Sequence, residues 1–409
     1  MEKLKDWVLQ EIEQIAAIGK MDRGITRLAY TTQDAQAREY VIGLMEKMGL
    51  SIRLDQAGNV IGRLEGKEPT APVVATGSHL DTVPEAGKYD GVVGVVGGLA
   101  AIQELKKRGP LTHPVEVIIF TGEESSRFGF ATIGSKAMAG LSNVQGWKKA
   151  RDLNGTFLFD AVAEQKLSLE KFPLAARAEN TIKAFIELHI EQSGLLDKGG
   201  QALGIVEKVA APTRFKITVE GVASHSGTTL MEDRQDALVS AAMVILAIQE
   251  IALEQADRGT VATVGAMKVH PGAMNVVPGM VEMWVDVRGL QHDSVIECLQ
   301  EIKDEISTIA DEQETSVSIE MIVSEKPVVM SEKIIELLES CAEKKNFTYL
   351  RMDSGAGHDA MNMSRIAPAG LIFIPSKGGV SHRAEEYTSL EDIMNGIEVL
   401  TDALYELAK

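Results

Sequence analysis

Two hydrophobic rhythms divide this chain of 409 residues, and no single sheet accommodates both. Up to about Thr213, short, mostly apolar runs at 73–76 and 115–121 alternate with helical segments. Such runs are strands buried on both faces, and they require a largely parallel sheet with helices packed on each side. From Arg214 the pattern becomes Arg-Phe-Lys-Ile-Thr-Val-Glu220, with polar and apolar residues in alternation. Period two marks a strand with one wet face. A chain this long also exceeds what one core serves, so two domains are expected.

The first rhythm predicts a surface helix at the N-terminus, a helix at 33–48, strands at 52–54, 60–64, 73–76 and 115–121, and a small-residue helix at 91–107. The second predicts a strand from 214, a helix at 236–253, strands at 261–269 and 281–288, a helix at 292–311 and a strand at 316–322. That order, βαββαβ, is the ferredoxin-like split unit. After Lys326 the first rhythm resumes, with helices at 332–345 and 390–407 and a buried strand at 371–374. The expected fold class is therefore α/β: a mostly parallel-sheet domain from 1–211 and 327–409, with a ferredoxin-like domain, 212–326, inserted into it. Residues 143–181 carry no clear signal.

Acidic and histidine side chains recur where the apolar runs of the first domain end, the place where ligands gather in such sheets. The run at 73–76 leads into His79-Leu80-Asp81, that at 115–121 into Glu123-Glu124, that at 182–188 into His189, and that at 371–375 into a glycine-rich loop carrying His382. His79 and Asp81 share a face of an extended strand end, so Asp81 is expected to hold the second ring nitrogen of His79. Asp90, between Tyr89 and Gly91, suits either a carboxylate bridging two cations or a helix N-cap. Adjacent carboxylates at Glu123-Glu124 repel one another unless positive charge compensates, and two metal ions supply it. One glutamate then ligates while its neighbour serves as general base. In the second domain, His225 sits in a small-residue loop where it can polarise a substrate carbonyl or simply make a turn. Asn275 and Arg288 suit a substrate carboxylate.

Composition sets the exclusions. The balance of 41 Lys+Arg against 59 Asp+Glu, a net charge of -18, disfavours nucleic acid and anionic lipid as partners. The longest weakly polar run, at 91–102, is too short for a membrane span. Cys298 and Cys341 are far apart, which fits a reducing cytoplasm and no disulfide framework.

Gly77-Ser-His-Leu-Asp-Thr-Val83, Tyr89-Asp-Gly91, Gly122-Glu-Glu-Ser-Ser-Arg-Phe128, Leu188-His-Ile-Glu-Gln192, Ala223-Ser-His-Ser-Gly-Thr-Thr229, Asp353-Ser-Gly-Ala-Gly-His-Asp359 and Ile374-Pro-Ser-Lys-Gly-Gly-Val-Ser-His382 together resemble the hydantoinase/carbamoylase branch of the M20 metallopeptidase-like amidohydrolases. The resemblance spans nearly the whole chain. It implies that His79, Asp90, Glu124, His189 and His382 hold two divalent ions (zinc, manganese, cobalt or nickel), with Asp90 bridging, Glu123 as general base and Asp81 orienting His79. It also implies that Gln192, His225, Asn275, Arg288, Gly357 and His358 contact substrate, His225 doing so in the partner subunit of a homodimer. The inserted domain would be lid and dimerisation surface, hinged near 210–213 and Lys326. Three departures touch pocket shape and leave every ligand in place: Ser193-Gly194 after the Gln192 motif, Ser125 after Glu124, and Pro84-Glu-Ala-Gly-Lys88 before Tyr89. The reaction implied is hydrolysis of N-carbamoyl-L-amino acids to amino acid, ammonia and carbon dioxide. Allantoate amidohydrolase and β-ureidopropionase are the alternatives within the branch, and a dipeptidase or N-acyl amino acid hydrolase the alternative within the superfamily. An inactive scaffold would be expected to have lost a ligand or the base, and neither is lost here.

Overall fold

The computed structural model describes residues 2–409, which form two compact units. One comprises residues 2–207, Val329–Ser354 and His358–Lys409; the other comprises Lys208–Val328 with Gly355–Gly357.

In chain order the first unit contributes β1 (Ser51–Leu54), β2 (Val60–Leu64), β3 (Val73–His79), β4 (Val115–Phe120), β5 (Ile182–Ile190) and β6 (Leu203–Val209). The second contributes β7 (Ala211–Glu220), the two-residue β8 (Ser224–His225), β9 (Thr260–His270), the two-residue β10 (Val276–Val277), β11 (Met280–Gly289) and β12 (Ser316–Ser324). The chain then returns with β13 (Val328–Val329), β14 (Tyr349–Ser354) and β15 (Ala369–Ile374).

The large sheet runs β1-β2-β4-β3-β5-β15-β6-β13, with β14 beside β6. Its centre, β4-β3-β5-β15, is parallel throughout, while β1, β2 and β6 join antiparallel. Every residue of β3, β4 and β15 is buried. Burial along the whole strand is what covering by helices on both faces produces. The helices Val92–Arg108 and Leu390–Ala408 pack against each other and against β3 and β5. All four parallel strands therefore present their carboxyl ends on the same edge of the sheet.

The helix Thr32–Lys47 starts with a reciprocal cap: Thr31 accepts from the Asp34 N–H, and the Asp34 carboxylate accepts from the Tyr30 N–H at 2.9 Å. Residues 143–181, unreadable in the sequence, form short helical turns around a satellite core in which Trp147 and Phe172 meet edge to face. β6, β14 and the helix Asp359–Met363 were likewise not foreseen.

The second unit is a four-stranded antiparallel sheet in the order β12-β7-β11-β9, covered by the helices Ala237–Glu254 and His292–Glu312. Phe215, Ile217 and Val219 alternate into its core with Val281, Met283, Val285 and Val287 of β11. The helix Ala237–Glu254 is long and apolar enough to cross a membrane by length and composition, but its Ala237, Ala241, Val244 and Ile248 face packs into this core.

Candidate metal centre

Four strand ends deliver the site. His79 closes β3, His189 is the penultimate residue of β5, Glu123 and Glu124 follow β4, and His382 lies in the loop after β15. Asp90 comes from the turn before the helix Val92–Arg108, and it is the hub. Its Oδ1 lies 3.4 Å from His79 Nε2 and 3.3 Å from His189 Nε2. Its Oδ2 lies 3.5 Å from His382 Nε2, which is in turn 3.3 Å from Glu124 Oε1. One carboxylate is thus shared between two clusters, His79-Asp90-His189 and Asp90-Glu124-His382, each with ligand atoms close enough to hold a cation.

The backbone is bent to achieve this. Gly91 has φ +66°, and a Cβ there would stand 2.6 Å from the imidazole atoms of His79, so the turn passes flat over that ring. Gln192 and His382 adopt φ of 53° and 56°, a left-handed region that non-glycine residues enter at a cost, and both side chains reach Asp90.

The donor set fits metal. The Nδ1 atoms of His79 and His189 each lie 2.9 Å from a main-chain carbonyl, of Asp81 and Ile190 respectively. A carbonyl only accepts, so Nδ1 carries a hydrogen and Nε2 is the ring atom left facing Asp90. A nitrogen lone pair and a carboxylate repel, so a proton or a metal ion must stand between them. The Gly91 N–H, 3.2 Å from His189 Nε2, relieves only part of this. Imidazoles with carboxylates suit zinc, manganese, cobalt or nickel.

The electrostatics agree. Burial opposes a charge on His79, yet Glu123, Asp90 and Asp81 hold its imidazole well above the ordinary value. Burial works likewise against His189, which Asp90 still raises. For Asp90, burial would raise the carboxyl, but His189 and His79 hold it well below the usual range. Glu123 is pushed well above by burial, with His79 opposing and Glu124 adding to the rise. The cluster is short of positive charge.

Asp81 does not act as expected. Nδ1 of His79 meets the main-chain oxygen of Asp81, while the carboxylate stands 3.9 Å off and accepts the main-chain N–H groups of Glu123 at 3.2 Å and Glu124 at 3.0 Å. It fixes the turn that aims both glutamates. Burial pushes its carboxyl up to about 7, with His79 opposing.

Gln192 donates to Asp90 Oδ2 at 2.7 Å, within the site. His358 is buried beneath it, its ring 4.6 Å from that of His189 and its Nε2 3.1 Å from Ser354 Oγ. Gly357 belongs to the second unit. There, His225 pairs with Val276 across the β8–β10 ribbon, and next to it the Ser226 N–H donates to the Asn275 carbonyl at 3.1 Å. Both side chains are exposed. Arg288 lies at the far end of β11 from Met280, roughly 27 Å away at ~3.4 Å per residue. It forks onto Asp286 through Nε and an Nη at 3.0 Å. Within one copy, β11 therefore separates Arg288 from the end of the sheet that Asn275 precedes.

Two contributors escaped the sequence. Glu386 accepts the N–H groups of Tyr89 and Asp90, and Glu187 on β5 accepts from Ser78 Oγ and the Ala360 N–H at 2.8 Å each. The acidic pair after His382, Glu385-Glu386, was the one available signal for the former.

With this geometry in hand, residues 75–406 match peptidase family M20/M25/M40, and the chain belongs to that family and is a hydrolase. An N-carbamoyl-L-amino acid amidohydrolase of Geobacillus stearothermophilus is 38% identical over 402 residues, covering 98% of each chain. A ureidoglycolate hydrolase of Oryza sativa subsp. japonica is 39% identical, covering 98% of this chain and 84% of the relative. The crystal structure of a hydantoinase/carbamoylase family amidase from Burkholderia vietnamiensis superposes with a TM-score of 0.92 at 31% identity, covering 99% of this chain and 97% of that one.

Proposed function

We propose that this protein is a metal-dependent amidohydrolase that cleaves the ureido C–N bond of N-carbamoyl-L-amino acids, releasing amino acid, ammonia and carbon dioxide. The observation that carries the reading is the Asp90 carboxylate shared between the His79-His189 and Glu124-His382 clusters. These five residues would hold two divalent ions. When bound, such ions polarise the scissile carbonyl and lower the pKa of water toward neutrality.

The chain's own groups supply the rest. Glu123, buried beside Glu124 and 3.8 Å from His79, has the raised affinity for a proton that a general base needs. It would take the proton of water and return it to the leaving nitrogen. Asp81 keeps that carboxylate aimed by holding its main-chain N–H. Gln192, already bonded to Asp90, would orient the substrate's polar end.

The substrate class draws on the relatives. N-carbamoyl amino acids and ureidoglycolate share a ureido group on the carbon bearing a carboxylate, and they differ in the third substituent. The segment 84–88 and Ser193 would shape the pocket for that substituent. A homodimer completes the picture: His225 in the β8–β10 ribbon and Asn275 just before β10, both exposed, would serve the partner's site. The exposed Val239, Leu246 and Leu253, seven residues apart on one helix, suit a surface covered by a second copy. The two buried free cysteines suit a reducing cytoplasm.

The test is ammonia release by zinc- or manganese-loaded protein from N-carbamoyl-L-methionine, ureidoglycolate and allantoate, beside amino-acid release from a dipeptide. Turnover of the dipeptide alone would sink the reading.

A further inference from the structure

Glu386 is a carboxylate 5% exposed, placed beside another carboxylate that is 5% exposed, Asp90. Burying such a group is costly unless its oxygens are satisfied. Its Oε1 accepts the main-chain N–H of Tyr89 at 3.0 Å and that of Asp90 at 3.1 Å. Its Oε2 faces the Ser381 hydroxyl at 3.4 Å, and that hydroxyl also lies 3.1 Å from Asp90 Oδ2. The turn at 84–90 is cut to receive it, since a Cβ on Gly87 would stand 2.3 Å from the Glu386 Cβ. One side chain therefore joins the turn that carries Asp90 to the loop that carries His382. Both loops are irregular, and His382 is held in the left-handed region.

We propose that Glu386 is a positioning residue for the cation bound by Asp90, Glu124 and His382. It fixes the distance between the Asp90 and His382 loops through the oxygens that hold both. The cluster His79-Asp90-His189 depends on it less, because His79 and His189 are anchored on β3 and β5 and hold their own main-chain carbonyls. The inference rests on the metal-dependent reading of the site.

Zinc stoichiometry and affinity, measured by competition with a chromophoric chelator, test both levels separately. Wild type should bind two ions and H382A one; wild type binding none would overturn the metal reading itself. Given two ions in wild type, E386A should weaken the second by roughly 10–100-fold and leave the first within about twofold. E386Q keeps an oxygen for the two N–H groups, so it should recover most of the loss. S381A, which cuts only the link to the His382 loop, should move the second ion in the same direction, and it serves if E386A does not fold. In H382A/E386A the second substitution should add nothing. Equal weakening of both ions, or no change in either E386A or S381A, overturns the proposal.

Discussion

The main-chain N–H of Glu124 donates to Asp81 Oδ2 at 3.0 Å, across 43 positions of sequence. With the matching bond from Glu123, this makes Asp81 the splint of the two-glutamate turn. D81N replaces one acceptor with an NH2 group that faces a main-chain N–H. Turnover should fall by about 10–100-fold, with metal content kept and KM little changed. Loss of zinc in D81N would show that the carboxylate serves the ligands instead.

The two glutamates are predicted to separate by function. E123Q should abolish ammonia release and retain both ions, whereas E124A should lose one ion. Metal analysis beside single-turnover kinetics distinguishes them, and the reverse pattern would exchange their roles.

Zinc binding should be coupled to protons. The Glu124 hydrogen bond, against opposing burial, raises His382 from its ordinary 6.5 to about 9 in the metal-free protein. Below that value a cation must displace the proton, so apparent affinity should climb with pH and level off near 9. The metal-free fold responds with the opposite sign. Stability from the His382–Glu124 pair is complete below the ordinary imidazole value and disappears as pH rises through about 9. Calorimetry in buffers of different ionisation enthalpy should show proton release that H382A diminishes.

In the second unit, Phe215 of β7 is fully buried in the core between the sheet and its covering helices. F215A should cost about 3–5 kcal/mol by denaturant unfolding, the usual toll of deleting a core aromatic. A loss under about 1 kcal/mol would mean that the core closes over the gap.

The parallel strands were readable because apolar residues dominate each of them, and the ligands because rare side chains interrupt the polar loops that follow. Glu386 was not readable. A glutamate after His382 looks like a solvated charge, and its burial emerges only when a main-chain N–H 296 positions away arrives to meet it. Asp81 illustrates the same limit: proximity in sequence to His79 suggested one partner, and a turn from the neighbouring strand claimed its oxygens. Asn275 and Arg288 were paired on chemistry alone, which says nothing of the length of β11 between them. The segment 143–181 carries aromatic residues without a regular period, because short turns wrapped about Trp147 impose none.

Drawing ligands from positions as distant as 79 and 382 also governs biosynthesis. The Asp90-Glu124-His382 cluster cannot assemble until nearly the entire polypeptide has left the ribosome, whereas His79, Asp90 and His189 are all synthesised in its first half, so the two halves of the centre would be completed at different stages of maturation.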